Sequence, residues 1–346
     1  FLYFIEARMR APASLSLLVA VVVAAGVPFD GPAPYRPWAN YWCRDPVCEP
    51  SQYGIGAQNR TRTGGGDFAN SSHRWSEGAF PRVLEDGRVL NGGIPQRANL
   101  TYHVERLEAG IGDWLPDVDW ELHAVIDFEA WTPVWENNDG GSCNWHGKIY
   151  QELSLNYTRA RFPHITNESV IAALAQEEFE DAAIEFFVTT MTVLKRLRPK
   201  AQWGFYGFPY AVNGECVTGT RKCGYENPTF GPAWRARNDR LARIWNNVDA
   251  YYPSVYLVPQ GRTHYDVWEL EMSTRTRNAV DEAIRLSRTY SASKAAPVLP
   301  FYWPLYHNGS TPVDAHDLRQ LIAEAYVPPL STQLIIWDGG PALGGK

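Results

Sequence analysis

HAVIDFE at His123–Glu129, ESVIAALAQEEFEDAAIEFFVTTMTVLKRLR at 168–198 and QWGFYGFP at Gln202–Pro209 follow one another in the chain. In the middle stretch Val170, Leu174, Phe179, Ile184, Phe187, Met191 and Leu194 recur at helical spacing, and Pro199 closes it. Thr166 and Asn167 offer capping oxygens just before it starts. The flanking stretches are short, β-branched and aromatic, which predicts strands. A long amphipathic helix between two strands implies parallel pairing through a right-handed crossover.

Further along, strand-like runs stand at Ala250–Val258, Pro297–Trp303 and Gln333–Asp338, and helical patterns at 234–247, 267–290 and 314–326. An open doubly wound sheet and a closed barrel both produce this alternation. The sheet would carry a glycine-rich nucleotide turn between a strand and a helix, and Gly64–Gly66 precedes no such unit. The fold class expected is therefore α/β, a barrel of parallel strands. In such barrels chemistry sits where the strands end.

The chain has 346 residues, 45% apolar and 13% aromatic, enough to bury a sizeable core. Its net charge of −6 repels nucleic acid, so no nucleic-acid partner is expected. Met9–Arg10, the apolar run Ala13–Ala25 and Gly26 describe a secretory signal, with a buried core helix as the plainer alternative. Residues 1–26 then form a leader, with Met9 as initiator, and 27–346 a single catalytic barrel domain. No other segment could span a bilayer. The expected destination is secretion, with the lysosome as the alternative.

Six N-glycosylation sequons accompany the leader, at Asn59, Asn70, Asn99, Asn156, Asn167 and Asn308. The five cysteines, Cys43, Cys48, Cys143, Cys216 and Cys223, are disulfide candidates in an oxidising compartment. Their odd number leaves a free thiol, an intermolecular bridge or a missing partner open, and Cys216 and Cys223 are close enough to staple one loop. No CxxC or HExxH occurs and the histidines are scattered, so neither metal nor cofactor is expected.

The first strand ends in Val125-Ile126-Asp127-Phe128-Glu129-Ala130-Trp131. Side chains alternate, which puts Val125, Asp127 and Glu129 on one face and Ile126 and Phe128 on the other. With the apolar pair against the helices, two carboxylates point into the mouth about 6–7 Å apart. A confined pair does not readily hold two charges, so one acid keeps a proton. Glycosidic cleavage asks this of its acid catalyst. The plain alternative is two solvated acids on an exposed strand end. Other strand ends carry Tyr206, Tyr210, Tyr256, Tyr302, Trp303 and Trp337. Flat rings stack on sugar C–H faces and phenols bond their oxygens, so aromatics converging on an acid pair suit a carbohydrate. The candidate substrate contacts are Tyr206, Tyr256, Trp337, Trp131 and Tyr302. No GxSxG elbow, Walker loop or cysteine–histidine signature competes.

From Tyr53 to Trp337 the chain resembles the animal hyaluronidases, glycoside hydrolase family 56. The resemblance rests on YGI at Tyr53–Ile55, NGGIPQ at Asn91–Gln96, NLT at Asn99–Thr101 and VIDFEAW at Val125–Trp131. It continues in WGFYGFP at Trp203–Pro209, Asn238–Asp239, YPSVYL at Tyr252–Leu257, VLPFYW at Val298–Trp303 and IIW at Ile335–Trp337. It implies a distorted (β/α) TIM-like barrel and endo-cleavage of hyaluronan with retention, assisted by the substrate's own acetamido group. Glu129 would then be the acid and base, with Asp127 sharing its proton and holding the acetamido group. Tyr206 and Tyr256 match tyrosines that bind that group, and Trp337 matches the floor beneath it.

The chain departs from the family pattern where Ala130-Trp131-Thr132 replaces Glu-Trp-Arg, an arginine that would line the groove. Glu136–Cys143 reads as an insertion. Cys43 resembles a cysteine bridged to one beyond the last strand, and the tail after Trp337 reads as a truncated barrel. The competing functions are a non-catalytic glycan-binding barrel, and a related hydrolase acting on chondroitin or chitin oligomers.

Overall fold

The computed structural model describes residues 38–43, 62–64, 80–84, 86–139, 148–210, 224–257, 272–291, 295–306 and 311–338, with the backbone alone at 38–43, 62–64, 272–274 and 338. Strand β1 is Trp38–Cys43, β2 Arg62–Gly64, and β3 Arg82–Val83 pairs antiparallel with β4 Val89–Leu90. Helix α1 (Leu100–Trp114) leads into β5 (His123–Ile126), and α2 (Ile149–Arg161) and α3 (Glu168–Leu197) lead into β6 (Gln202–Phe205). There follow α4 (Phe230–Asp239), α5 (Ala242–Trp245), α6 (Met272–Tyr290), β7 (Phe301–Tyr302), α7 (Ala315–Ala325) and β8 (Gln333–Asp338).

The pairing is parallel throughout the main sheet. β2 pairs with β5 and β5 with β6. Bridges Tyr206–Tyr252, Tyr251–Val298 and Ser254–Phe301 carry the order through the extended segment 251–254 to β7, then β8 and β1. The ring is therefore parallel strands in one continuous order, and among the described residues β1 and β2 are not paired with each other. This is the distorted (β/α) barrel expected, with short strands linked by isolated bridges.

Period-two alternation sorts the side chains of each strand between the ring's interior and the helix layer. Val125, Ala250, Tyr252, Leu299, Phe301 and Ile335 form the interior cluster. Ala124, Ile126 and Phe128 face outward into a core with Phe179, Phe186, Phe187 and Met191 of α3. Val255, Leu257, Tyr302 and Ile336 face Leu318 and Leu321 of α7 in a third cluster. Gly204 makes room for the interior: a Cβ there would lie 2.4 Å from the Ala250 carbonyl oxygen and 2.7 Å from the Tyr252 ring.

The helix layer shows where periodicity is readable. α3 ends within a residue of its expected boundary, capped by Asn167, which accepts from Ser169 N. The pattern expected over 234–247 is two helices. Between them the Asn238 carbonyl accepts the Trp245 indole N–H at 2.7 Å, while the Arg240 guanidinium reaches Glu136 and Glu180. α6 is held to α4 by a polar seam: buried Glu282 accepts from Asn238 Nδ2 at 2.8 Å, from Arg285 and from Tyr225, and Arg285 pairs with Asp239 at 2.9 Å.

At the N-terminal end of the ring His123 Nδ1 lies 2.9 Å from the Tyr252 hydroxyl, which donates to the Gln202 carbonyl at 2.8 Å. Burial pushes the imidazole from 6.5 down to about 4. The folded state thus binds the proton less readily than the unfolded chain, so stability is full above pH 6.5 and lost as pH falls toward 4. Denaturation followed at pH 7 and pH 4.5 should show a loss of about 2–3 kcal/mol that His123→Gln removes. An equal acid loss in both proteins would assign it to other groups.

Candidate active site

β5 leaves the ladder at Ile126, whose carbonyl accepts Tyr206 N at 2.9 Å. Asp127 and Glu129 follow immediately, just beyond the last paired residue, at the C-terminal mouth of the ring. Asp127 is buried and Glu129 half-buried, while Phe128 between them packs into the outer core against Phe80 at 4.7 Å. The apolar residue is thus drawn to the helices, as alternation requires.

Tyr206 follows β6, and Ser254 and Tyr256 share the inward face of the next segment with Tyr252. Gly207, at φ +75°, turns the chain away right after Tyr206 and donates its N–H to the Tyr252 carbonyl. The Tyr206 and Tyr256 rings lie 6.1 Å apart, and the Tyr206 hydroxyl is 3.4 Å from Ser254 Oγ. Burial above all pushes both phenols well above their ordinary range; the charge of Glu129 and then Asp127 adds to it at Tyr206, and at Tyr256 the neighbouring Tyr206 phenol comes next, ahead of Asp127 and Glu129. The two hydroxyls therefore stay protonated and serve as donors, and the two carboxylates are near enough to be felt at each.

A wall of rings completes the mouth. Tyr256 and Trp337 are stacked 5.5 Å apart with planes within 10°, and Trp303 packs 5.1 Å from Trp337 and 5.9 Å from Tyr256. Among the described residues no group of three or more His, Cys, Asp or Glu side chains is placed to hold a metal.

The structure brings together Asp127, Glu129, Tyr206, Tyr256 and Trp337. Two other candidates stand apart. Trp131 is fully buried, with its indole N–H on the Pro81 carbonyl at 2.7 Å and its ring among Phe128, Phe179, Phe186 and Phe187. Tyr302 is 2% exposed and faces α7 rather than the mouth. Its neighbour Trp303 takes the inward place, as alternation from inward-facing Phe301 dictates. Thr132, where the family pattern has the arginine that would line the groove, has no exposed surface: its N–H donates to Asn138 of the turn that follows and its hydroxyl to the Val134 carbonyl. That turn, Trp135–Asn138, opens the stretch read as an insertion and is an ordered part of the site's frame.

Asn99, Asn156 and Asn167 are exposed; Asn59, Asn70 and Asn308 lie outside the described residues. So do the leader and Cys48, Cys143, Cys216 and Cys223, and Cys43 is placed by backbone alone in β1.

The hyaluronidase family profile (glycoside hydrolase family 56) matches residues 53–339. The chain belongs to the hyaluronidase family. Hyaluronidase-2 of Bos taurus is 35% identical over 272 residues, 76% of this chain and 53% of that protein. Hyaluronidase Tab y 2.0101 of Tabanus yao is 33% identical over 65% of this chain and 60% of its own length. The chain thus spans little more than half of these relatives. Bee venom hyaluronidase, solved in complex with a hyaluronic acid tetramer, superposes with a TM-score of 0.65 at 25% identity, over 86% of this chain and 90% of that one. Among hyaluronidases, then, this chain keeps the barrel and presents its acid pair and ring wall at one mouth. No helix among the described residues is long and apolar enough to cross a membrane.

Proposed function

We propose that this hyaluronidase-family chain is an exported endo-glycosidase that cleaves hyaluronan at its N-acetylglucosamine–glucuronate linkages with retention. The observation that carries the reading is the placement of Asp127 and Glu129 at the barrel mouth, with their charges acting on two buried phenols. A pair of acids in a confined site shares a proton, which one of them can deliver.

In this reading the Glu129 carboxyl protonates the glycosidic oxygen as its bond to the anomeric carbon breaks. The substrate's acetamido oxygen closes on that carbon, forming an oxazolinium ring, and Asp127 holds the acetamido N–H. Water then attacks the anomeric carbon as its bond to the acetamido oxygen breaks and the acetamide re-forms; the water's proton passes to the Glu129 carboxylate, and the acid is restored. This is the substrate-assisted exception to two-carboxylate hydrolysis, so Asp127 never becomes a covalent nucleophile. Tyr206 and Tyr256, held protonated, donate to the acetamido oxygen, and Tyr256, Trp337 and Trp303 stack on sugar C–H faces. The exposed sequons Asn99, Asn156 and Asn167 support passage through a glycosylating compartment.

The test is a size-shift assay of the full protein on long hyaluronan from pH 3.5 to 7.5. Shortened chains with even-numbered products are expected; intact chains at every pH would end this reading. Parallel assays with chondroitin and with chitin oligomers as substrates decide between the related activities, because mass sets apart chitin, which lacks uronate, but not chondroitin, whose amino sugar is an epimer of the same mass.

A further inference from the structure

Beyond Ile126 the chain no longer has a ladder to hold it, yet Asp127 and Glu129 must be presented at one fixed geometry. Side chains take over. Buried Asn138 accepts Thr132 N–H at 3.0 Å on Oδ1, and its Nδ2 donates to the Thr132 and Val134 carbonyls at 3.0 and 2.9 Å. The Thr132 hydroxyl adds a bond to the Val134 carbonyl at 3.0 Å. An amide is the neutral side chain that accepts once and donates twice in this way; a carboxylate cannot donate and a hydroxyl is too short.

The turn that carries Asn138 is itself moored on three helices. Glu180 of α3 accepts Trp135 N–H at 2.8 Å, and Gln151 of α2 donates to the Trp135 carbonyl at 2.9 Å. Arg240, at the end of α4, bridges Glu136 and Glu180. Trp131, anchored on Pro81, stands between this clamp and Glu129.

We propose that Asn138 is a positioning residue of the active site: its buried amide clamps the backbone at Thr132 and Val134 and so sets where Asp127 and Glu129 stand. The claim about catalysis rests on the hyaluronan-cleaving reading; the claim about the backbone does not. Asn138 touches no substrate and acts through the 127–134 run.

Asn138→Ala tests it with two measurements on the full chain. Amide exchange at Ala130–Val134 should quicken at least about tenfold while α3 and β6 exchange as before. On hyaluronan, kcat per tetrasaccharide-binding site should fall about a hundredfold, with KM and tetrasaccharide affinity within about threefold, because misplacing a catalytic group harms the reaction more than binding. Unchanged exchange over that run, or unchanged kcat per site, overturns the proposal. Wild-type protein that cleaves no hyaluronan brings down the functional reading alone, and amide exchange still judges the clamp.

Should Asn138→Ala fail to fold, Asn138→Asp decides. It keeps the acceptor for Thr132 N–H and, only when its carboxyl is protonated, can donate to one of the two carbonyls. The charged groups around the turn, Glu136 and Asp139 on it, Glu180 on α3, and Arg237 and Arg240 from α4, are the same in both proteins. Activity relative to wild type should be highest at acid pH and fall as pH rises. A ratio independent of pH overturns the proposal.

Discussion

Glu129→Gln should lower hyaluronan cleavage by about a thousandfold or more while leaving the fold intact. The loss follows from the role: an amide can neither deliver a proton to the departing oxygen nor take one from water. The fold should survive because Glu129 is half-buried at the mouth, outside the core clusters, and Gln matches it in shape. The melting temperature should stay within about 2 °C, and a hyaluronan tetrasaccharide should bind within about threefold of wild type, since the amide stands in for the neutral, protonated form in which Glu129 meets its substrate. Cleavage near the wild-type rate would move the acid to Asp127 or out of the pair altogether. Tyr206 and Tyr256 cannot substitute at working pH, because burial and the neighbouring carboxylates hold both phenols protonated well above the range in which they could cycle.

Trp131→Ala should act on stability instead, by about 4 kcal/mol. The ring is fully buried, 4.8 Å from Phe128 and 5.7–6.0 Å from Phe179, Phe186 and Phe187, and its N–H is satisfied by the Pro81 carbonyl. Truncation leaves a cavity between the run that follows β5 and α3, and leaves that carbonyl without its donor. Trp131→Phe retains most of the volume and loses the hydrogen bond, so about half of that loss is expected. Urea unfolding measures both. If Trp131→Ala kept wild-type stability and only raised KM for hyaluronan, the side chain would belong with the substrate contacts and the buried placement would be refuted.

Much of the architecture is legible along the chain, and the gaps have physical causes. α3 is readable because its buried face is large and apolar, with Phe179, Ile184, Phe187, Met191 and Leu194 at helical spacing. α2 goes unseen because the side chains it buries are Tyr150, Ser154 and Thr158, two of them small and polar, which leave no hydropathy wave. α1 does carry a signal, since Leu107, Ile111 and Trp114 repeat at helical spacing behind the Asn99 cap, and that pattern was there to be found. The polar break that divides 234–247 is invisible for another reason. It depends on Arg240 reaching Glu136, which lies a hundred residues earlier in the chain.

The site divides in the same way. Sequence alone determines that two acids stand one residue apart behind a strand, with an apolar residue between them that must turn to the helices. Alternation then sends both acids to the mouth, because a strand repeats every two residues whatever surrounds it. Which aromatics join them is settled only in three dimensions. Whether a ring beyond a strand's end faces the mouth or the core depends on register against neighbours far along the chain: Trp303 faces inward beside Tyr256 and Trp337, Tyr302 outward against α7, and Trp131 outward among the phenylalanines of the helix-side core, under the loop that Asn138 holds. Local pattern sets the direction of a side chain within its own element, and packing between elements decides what it meets.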